Sequence, residues 1–200
     1  GVSARLIVIL CATPSSAGWI NVLSGPNRVI CTATKSVGEF NATRFMEYFI
    51  QALEDGSADR NHDDRMSFEE ICRQAAELTA GGYTAEGLIA TEHAIIDDNG
   101  DGLGTRLFNP EMENEQSDVF DGKLAAKVYL KDFTFPASVP QELADNYLAA
   151  LEAVELWKEQ KETLERREYY AELEKRLLDA ARLNRDIRRQ PSDAAGGGRL

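Results

Sequence analysis

Leu6-Ile7-Val8-Ile9-Leu10-Cys11 is a continuous apolar run near the start of the chain, and a second apolar run covers Val29–Thr34. A turn of small residues, Ala12–Gly18, and a short helical pattern, Trp19–Leu23, lie between the two runs. An apolar run without polar alternation is typical of a strand that is buried on both faces, as in a parallel sheet. We therefore predict two neighbouring parallel strands joined by a short helix. The turn then lies at the carboxyl edge of the sheet, where open α/β sheets bind their ligands.

The turn Ser16-Ala17-Gly18-Trp19 resembles the nucleophile turn of caspase-like cysteine peptidases, in particular the legumain-type branch of clan CD. Further blocks that are similar to uncharacterised bacterial members of this family are Ser24–Val29, Thr32–Ser36, Glu39–Phe49, Thr91–His93 and Asp97–Gly102. The resemblance implies an α/β fold in which a partial caspase-like parallel sheet is flanked by helices. It covers roughly the first half of the chain and matches the carboxyl-terminal part of such a domain.

The family's nucleophile position is occupied here by Pro14, which has no nucleophilic atom. Cys11 is a weak candidate nucleophile, because it lies earlier in the chain, inside the predicted strand. The family's activating His comes upstream of the nucleophile, whereas His62 and His93 both follow it. We therefore predict a non-catalytic peptidase homologue, a pseudoenzyme. The alternative is an active cysteine-type endopeptidase whose catalytic His lies on missing upstream sequence and whose nucleophile is Cys11 or a Ser of the turn.

Charge and composition exclude several classes of function. The chain of 200 residues carries a formal net charge of −12, which argues against binding to nucleic acid or to anionic lipid, because phosphate groups need a cationic surface. No apolar run approaches the roughly 20 residues that a membrane-spanning helix needs. The 3 cysteines have no CxxC spacing, so they predict neither a disulfide framework nor a zinc site and favour a reducing, cytoplasmic compartment.

Residues 59–70 follow the pattern of the EF-hand calcium loop. The calcium ligands that this pattern predicts are Asp59, Asn61, Asp63, Arg65 (through its carbonyl), Ser67 and Glu70. Calcium takes about six to eight oxygen ligands, and this spacing can wrap them around one ion. Asp64 departs from the pattern, because glycine normally makes the sharp turn at that position. The alternative is an acidic loop between two helices, with Ser67 as the N-cap of the second helix.

A second acidic loop begins at Asp97. Asp97, Asn99 and Asp101 match the first half of the same calcium-binding pattern, but Phe108 occupies the position of the bidentate carboxylate. This loop is therefore a weaker candidate for a calcium site, either by itself or shared. The alternative is a glycine-rich turn that is held by Asx side chains.

Helical periodicity after the second apolar run predicts two helices. The first begins after Asn41, a candidate N-cap. The second begins at Ser67, with Glu70 as the partner of a capping box, and ends near Leu78 because Gly81-Gly82 follows.

The composition divides the chain into a partial caspase-like α/β domain over residues 1–135, a helical arm over residues 136–190 and a flexible tail over residues 191–200. Within the arm the apolar spacing slips at Glu165–Glu168, which favours a helical hairpin over one long coiled-coil helix with a stutter. The apolar stripes of the arm predict a protein partner or self-association. The alternative is a charged, solvated helix pair that leans on the domain.

Overall fold

A computed structural model describes residues 5–61, 63, 65–109, 121–132, 135–158, 160–161 and 163–191 of the chain. His62 and Asp64 of the first acidic loop lie outside these residues, and so does the predicted flexible tail from residue 192 onwards. The chain divides into two compact units, Gly1–Phe133 and Thr134–Leu200.

Short strands alternate with helices in the first unit, whereas the described part of the second unit is mainly helical. In chain order the first unit contains β1 (Ile7–Cys11), α1 (Ile20–Leu23), β2 (Arg28–Thr32), α2 (Phe45–Asp55), β3 (Met66–Ser67), α3 (Phe68–Ala85), β4 (Ile95–Asp97), β5 (Thr105–Arg106) and β6 (Tyr129–Lys131). The second unit contains α4 (Gln141–Lys158) and α5 (Arg166–Arg188).

The main sheet of the first unit has four strands in the order β1-β2-β4-β5. β1 and β2 are parallel, with Ile7 opposite Arg28 and Cys11 opposite Thr32. A 3-10 turn, Ser16–Trp19, leads into α1 between these two strands. The predicted pair of parallel strands with a helical connection is therefore confirmed.

The prediction of a parallel sheet is wrong beyond this pair, because the sheet is mixed. β4 runs antiparallel to β2, and β5 runs antiparallel to β4. The reason is that two helices, α2 and α3, connect β2 to β4 and pack against each other. One crossover helix would return the chain to the start of β2 and give a parallel neighbour. A second helix brings the chain back to the carboxyl end of β2, so β4 enters the sheet in the opposite direction.

The core of the first unit lies mainly on one face of the main sheet, under α2 and α3. Val29, Cys31 and Ile96 point from the sheet into this cluster. The helices contribute Phe45, Phe49, Phe68, Ile71, Cys72 and Ala75. A smaller cluster of Ile20, Ile30 and Ile95 covers the opposite face beside α1. The sheet is thus flanked by helices on both faces, with unequal amounts of buried apolar surface.

The start of α2 is not capped by Asn41, so that prediction is wrong. The helix begins at Phe45, and the buried carboxylate of Glu92 supplies the cap from outside the helix. The Arg44 N–H donates to Glu92 Oε1 at 2.7 Å, and the Phe45 N–H donates to Glu92 Oε2 at 3.2 Å. The Tyr83 hydroxyl of α3 also donates to Glu92, at 3.1 Å. One side chain therefore links the start of α2 to the end of α3.

The capping box at the start of α3 is confirmed. Ser67 Oγ accepts the Glu70 N–H at 3.2 Å, and Glu70 Oε2 accepts the Ser67 N–H at 3.0 Å. The predicted end of α3 near Leu78 is wrong, because the helix continues through Gly82 to Ala85. A side chain at Gly82 would collide with the Tyr48 ring of α2. Gly82 lets α2 and α3 approach closely, and this packing outweighs the poor helix propensity of glycine.

The described part of the second unit is a pair of packed helices. The chain leaves the helical conformation after Lys158 and resumes it at Arg166, so it does not form one long helix. Trp157 stacks on Tyr169 with ring centroids 6.5 Å apart and donates from its indole N–H to the Tyr169 carbonyl. Near the other end of the pair, the Asn184 amide donates to the Tyr147 hydroxyl at 3.0 Å. These contacts define an antiparallel helical hairpin.

Glu92→Gln should lower the free energy of unfolding by about 1–3 kcal/mol. The substitution places an amide donor opposite backbone or hydroxyl donors at a buried site, which leaves at least one of them unsatisfied. Urea unfolding measures the change. Glu54→Gln, an exposed position on α2, is the matched control and should change stability by less than about 0.5 kcal/mol. Equal effects of the two substitutions would contradict the capping role of Glu92.

Candidate functional site

The turn that follows β1 is held by its own serines. Ser15 lies in the left-handed region with φ 55°. Its N–H donates to the Glu39 carbonyl at 2.8 Å, and its hydroxyl donates to the Val37 carbonyl at 2.9 Å. Ser16 is fully buried, and its Oγ lies 3.1 Å from Thr34 Oγ1 and accepts the Thr34 N–H at 3.2 Å. Both hydroxyls therefore fasten the turn to the loop that follows β2.

Pro14 is exposed in this turn, at the position of the nucleophile in the caspase-like pattern. Cys11 lies half-buried within β1. Burial raises the pKa of the Cys11 thiol, and the neighbouring Cys31 raises it further. A raised pKa lowers the thiolate fraction at neutral pH, whereas a catalytic cysteine needs a lowered one. The structure therefore places no activated thiol at the end of β1.

His93 lies close to this turn and is held by Glu39. His93 Nδ1 lies 2.5 Å from Glu39 Oε1, and the His93 N–H donates to Glu39 Oε2 at 3.2 Å. Because the Glu39 carbonyl binds the Ser15 N–H, Glu39 bridges the histidine and the turn. A cavity of about 270 Å³ adjoins His93 and is lined also by Tyr83, Glu92 and Arg106. The Glu39 carboxylate orients His93, and among the described residues no hydrogen bond joins His93 to Cys11 or to a serine of the turn.

The first acidic loop is folded by hydrogen bonds from its own side chains. The Asp63 N–H donates to Asp59 Oδ1 at 3.1 Å and to Asn61 Oδ1 at 2.8 Å. The Arg65 N–H donates to Asp63 Oδ1 at 2.9 Å. Burial raises the pKa of Asp63, although the N–H and the charge of Arg65 oppose the rise. The side-chain oxygens at alternate positions of the loop thus hold the backbone in consecutive turns.

The second half of this loop forms strand β3 and the first turn of α3. Ser67 and Met66 form β3, which pairs antiparallel with β6. Glu70 is almost fully buried, and its Oε2 also accepts the Ser67 hydroxyl at 2.7 Å. The Arg65 guanidinium lies 3.7 Å from the centroid of the Tyr129 ring on β6. The described members of the predicted ligand set therefore belong to one hydrogen-bonded segment, and Glu70 is engaged in the capping box.

The second acidic loop repeats the hydrogen bonds of the first. The Asp101 N–H donates to Asn99 Oδ1 at 2.8 Å, and the Leu103 N–H donates to Asp101 Oδ1 at 2.7 Å. The Gly100 N–H donates to Asp97 Oδ1 at 3.1 Å. Gly100 has φ 80°, and a Cβ there would lie 3.0 Å from the Gly25 carbonyl carbon. Glycine is therefore required at this close approach of two turns.

Asp98 is a buried carboxylate that the calcium-loop pattern does not include. Its Oδ1 accepts the Gly122 N–H at 2.9 Å. Its Oδ2 accepts the N–H groups of Leu124 and Ala125 at 2.7 and 2.8 Å. Three backbone donors thus share one carboxylate, which fixes the chain after residue 121 against the end of β4.

Asp121 is a second buried carboxylate that the sequence analysis missed. Its Oδ1 accepts the Asp98 N–H at 3.1 Å, and its Oδ2 accepts the Thr105 hydroxyl at 2.6 Å. Burial raises the pKa of Asp121, and the carboxylate of Asp97 adds to the rise, against the hydrogen bonds that Asp121 accepts. The local signal in the sequence is the Asp121-Gly122 dipeptide, which indicates a turn but no ligand.

Within the described part of the chain, no group of three or more His, Cys, Asp or Glu side chains is arranged as a metal site. The oxygen donors of the two acidic loops nevertheless have the chemistry that calcium prefers. Calcium binding therefore stays a prediction.

The chain has no match among protein-family models, curated proteins or solved structures. The caspase-like resemblance therefore rests on the sequence blocks and is carried forward as a proposal. Among the helices that the structure describes, none combines the length and the apolar character that a membrane crossing requires.

Cys11 should react slowly with thiol-directed peptidase probes and with iodoacetamide in the folded chain at neutral pH. Its labelling rate should continue to rise above pH 9, because the raised pKa delays formation of the thiolate. Mass spectrometry of the labelled peptides separates Cys11 from the fully buried Cys31 and Cys72. Urea-unfolded protein is the control and should be labelled faster at all three thiols. Rapid, selective labelling of folded Cys11 at pH 7 would contradict this account.

Proposed function

We propose that this chain is a non-catalytic, caspase-like binding module with a calcium-responsive loop and a helical interaction arm. The observation that supports the loss of catalysis is the turn after β1. An exposed proline occupies the nucleophile position, and both neighbouring serine hydroxyls are hydrogen-bonded to the loop after β2.

The alternative, an active cysteine peptidase, fits these contacts poorly. A nucleophile is activated by an adjacent general base within hydrogen-bond reach or by a lowered pKa. Cys11 has a raised pKa, and within the described part of the chain no hydrogen bond joins it to His93. A catalytic His supplied by upstream sequence would still meet Pro14 where the nucleophile belongs.

The folding of the first acidic loop supports calcium as the ligand. The side chains of Asp59, Asn61 and Asp63 accept the N–H groups of Asp63 and Arg65, which brings their oxygens together on one short segment. Arg60 forms an ion pair with Glu77 at 3.1 Å, and Arg65 lies 3.8 Å from the Asp63 carboxylate. Glu70, the predicted bidentate ligand, lies at the start of α3, next to Ser67 of the same predicted ligand set.

Glu70→Gln should reduce the calcium response of the loop most strongly, because it removes the charge at the bidentate position. Asp64→Gly should increase the response, because glycine makes the sharp turn at lower backbone cost. The measurement is the difference in melting temperature between calcium and chelator for each variant, since a ligand that binds the folded state stabilises it by mass action.

Because each variant is compared with itself in calcium and in chelator, the stability lost with the Glu70 capping box cancels from the difference in melting temperature. Glu69→Gln is the matched control, because it removes a charge from the adjacent residue, which pairs with Arg73. The control should keep the full calcium response. A response that survives Glu70→Gln undiminished would contradict calcium binding at this loop.

Exposed leucines support an interaction role for the arm. Leu156 of α4 and Leu177 and Leu178 of α5 are 55%, 46% and 50% exposed, respectively. Acidic side chains outnumber basic ones on α4, whereas basic side chains outnumber acidic ones on α5. A second copy of the chain could therefore place its acidic helix against the basic helix of the first. We propose self-association through the arm as its function.

Leu177→Glu should convert the self-associated chain to monomer, because it places a charge in the apolar contact. Sedimentation velocity over a range of protein concentrations measures the change. Ala171→Glu, at another exposed position of α5, introduces the same charge with little loss of apolar surface and should leave the assembly intact. A wild-type chain that stays monomeric at all concentrations would contradict self-association.

A further inference from the structure

The strongest unexplained feature of the first unit is a group of three buried carboxylates. Asp97, Asp98 and Asp121 are only 1%, 7% and 2% exposed. None of the three forms an ion pair with a Lys, Arg or His among the residues that the structure describes. Burying several carboxylates without a cation is costly, because each loses its hydration and repels the others.

The three carboxylates differ in how far protein donors satisfy them. Both oxygens of Asp98 and both oxygens of Asp121 accept hydrogen bonds. Asp97 Oδ1 accepts the Gly100 N–H, but Asp97 Oδ2 is buried and has no partner within the described part of the chain. An unpartnered buried oxygen is uncommon in folded proteins, and a bound ion is one of the groups that satisfy it.

Asp97 and Asp121 lie beside each other at the end of β4. The Asp121 carboxylate accepts the N–H groups of Asp98 and Asn99, the two residues that follow Asp97. It lies close enough to Asp97 for the two charges to interact. Asp121 thus lies beside the second acidic loop. In the sequence of that loop, Phe108 occupies the position at which a calcium loop has its bidentate carboxylate.

We propose that Asp97 and Asp121 together hold one hard divalent cation, with Asp97 Oδ2 as its principal ligand. The cation compensates the two buried charges and takes the free lone pairs of Asp97. Oxygen donors select calcium or magnesium over zinc or copper, which prefer nitrogen and sulfur. Asp121 is the second ligand because, among the described residues, its Oδ2 accepts only the Thr105 hydroxyl and its charge interacts with that of Asp97. Asp98 is not assigned as a ligand, because its oxygens accept the N–H groups of Gly122, Leu124 and Ala125. This site is separate from the first acidic loop and does not depend on it.

The test uses the full chain with the Glu70→Gln substitution, which silences the first loop. After treatment with chelator, calorimetric titration with calcium, and separately with magnesium, measures the stoichiometry and affinity. We expect one bound ion per chain. Asp97→Asn and Asp121→Asn should each weaken its binding by about tenfold or more. Asp101→Asn removes an exposed carboxylate from the same loop and should leave the affinity unchanged within about twofold.

The melting temperature of each variant, measured in chelator and in excess cation, is a second readout that does not depend on the titration. In chelator, Asp97→Asn should melt higher than its parent, because it relieves the repulsion between the carboxylates. In excess cation the order should reverse, because the variant loses the ion. Circular dichroism establishes that each variant is folded, and Asp121→Asn replaces Asp97→Asn if the latter is not.

Three results would overturn the proposal. The first is no bound ion in the Glu70→Gln chain with either metal. The second is a loss of affinity in Asp101→Asn as large as that in Asp97→Asn, which would assign the ion to the linear loop. The third is a higher melting temperature of Asp97→Asn in both chelator and cation, which would indicate a protonated acid pair.

Discussion

Glu92 connects the start of α2, the end of α3 and the approach to β4 through hydrogen bonds from two backbone N–H groups and one hydroxyl. Asp98 does the same at the other end of β4, where it accepts three backbone N–H groups from the chain after Asp121. Buried carboxylates therefore fix both ends of a three-residue strand. A short strand contributes few ladder hydrogen bonds, so the position of β4, and of β5 beside it, depends on these side chains.

The same chemistry relates the fold to the proposed function. Several carboxylates of the first unit are buried and accept backbone N–H groups, and we propose that two of them hold a hard cation. The turn after β1 has the opposite character, because its hydroxyls are used in structural hydrogen bonds and its tip is a proline. In the proposed function, the turn that resembles a peptidase nucleophile turn serves as structure, and the acidic turns supply the oxygen ligands.

The features that the sequence could predict are local. Apolar runs predicted β1 and β2, and the spacing of Ser67 and Glu70 predicted the capping box. The orientation of β4 could not be predicted, because it depends on how many helices connect it to β2. The cap of α2 was missed because Glu92 lies far along the chain from Arg44. Gly82 was misinterpreted as a helix end because its contact with Tyr48 belongs to tertiary packing. Asp121 was missed for the same reason, since the loop that it joins lies in a different part of the sequence.

Hydrogen–deuterium exchange of the full chain, compared between calcium and chelator, tests most directly whether the acidic turns are the responsive parts of the molecule. We expect slower exchange in calcium over residues 59–70, 97–105 and 121–125. We also expect unchanged exchange over residues 12–19, in the turn that resembles the peptidase site. Exchange that does not respond to calcium in the acidic turns, or that responds only in residues 12–19, would contradict this expectation.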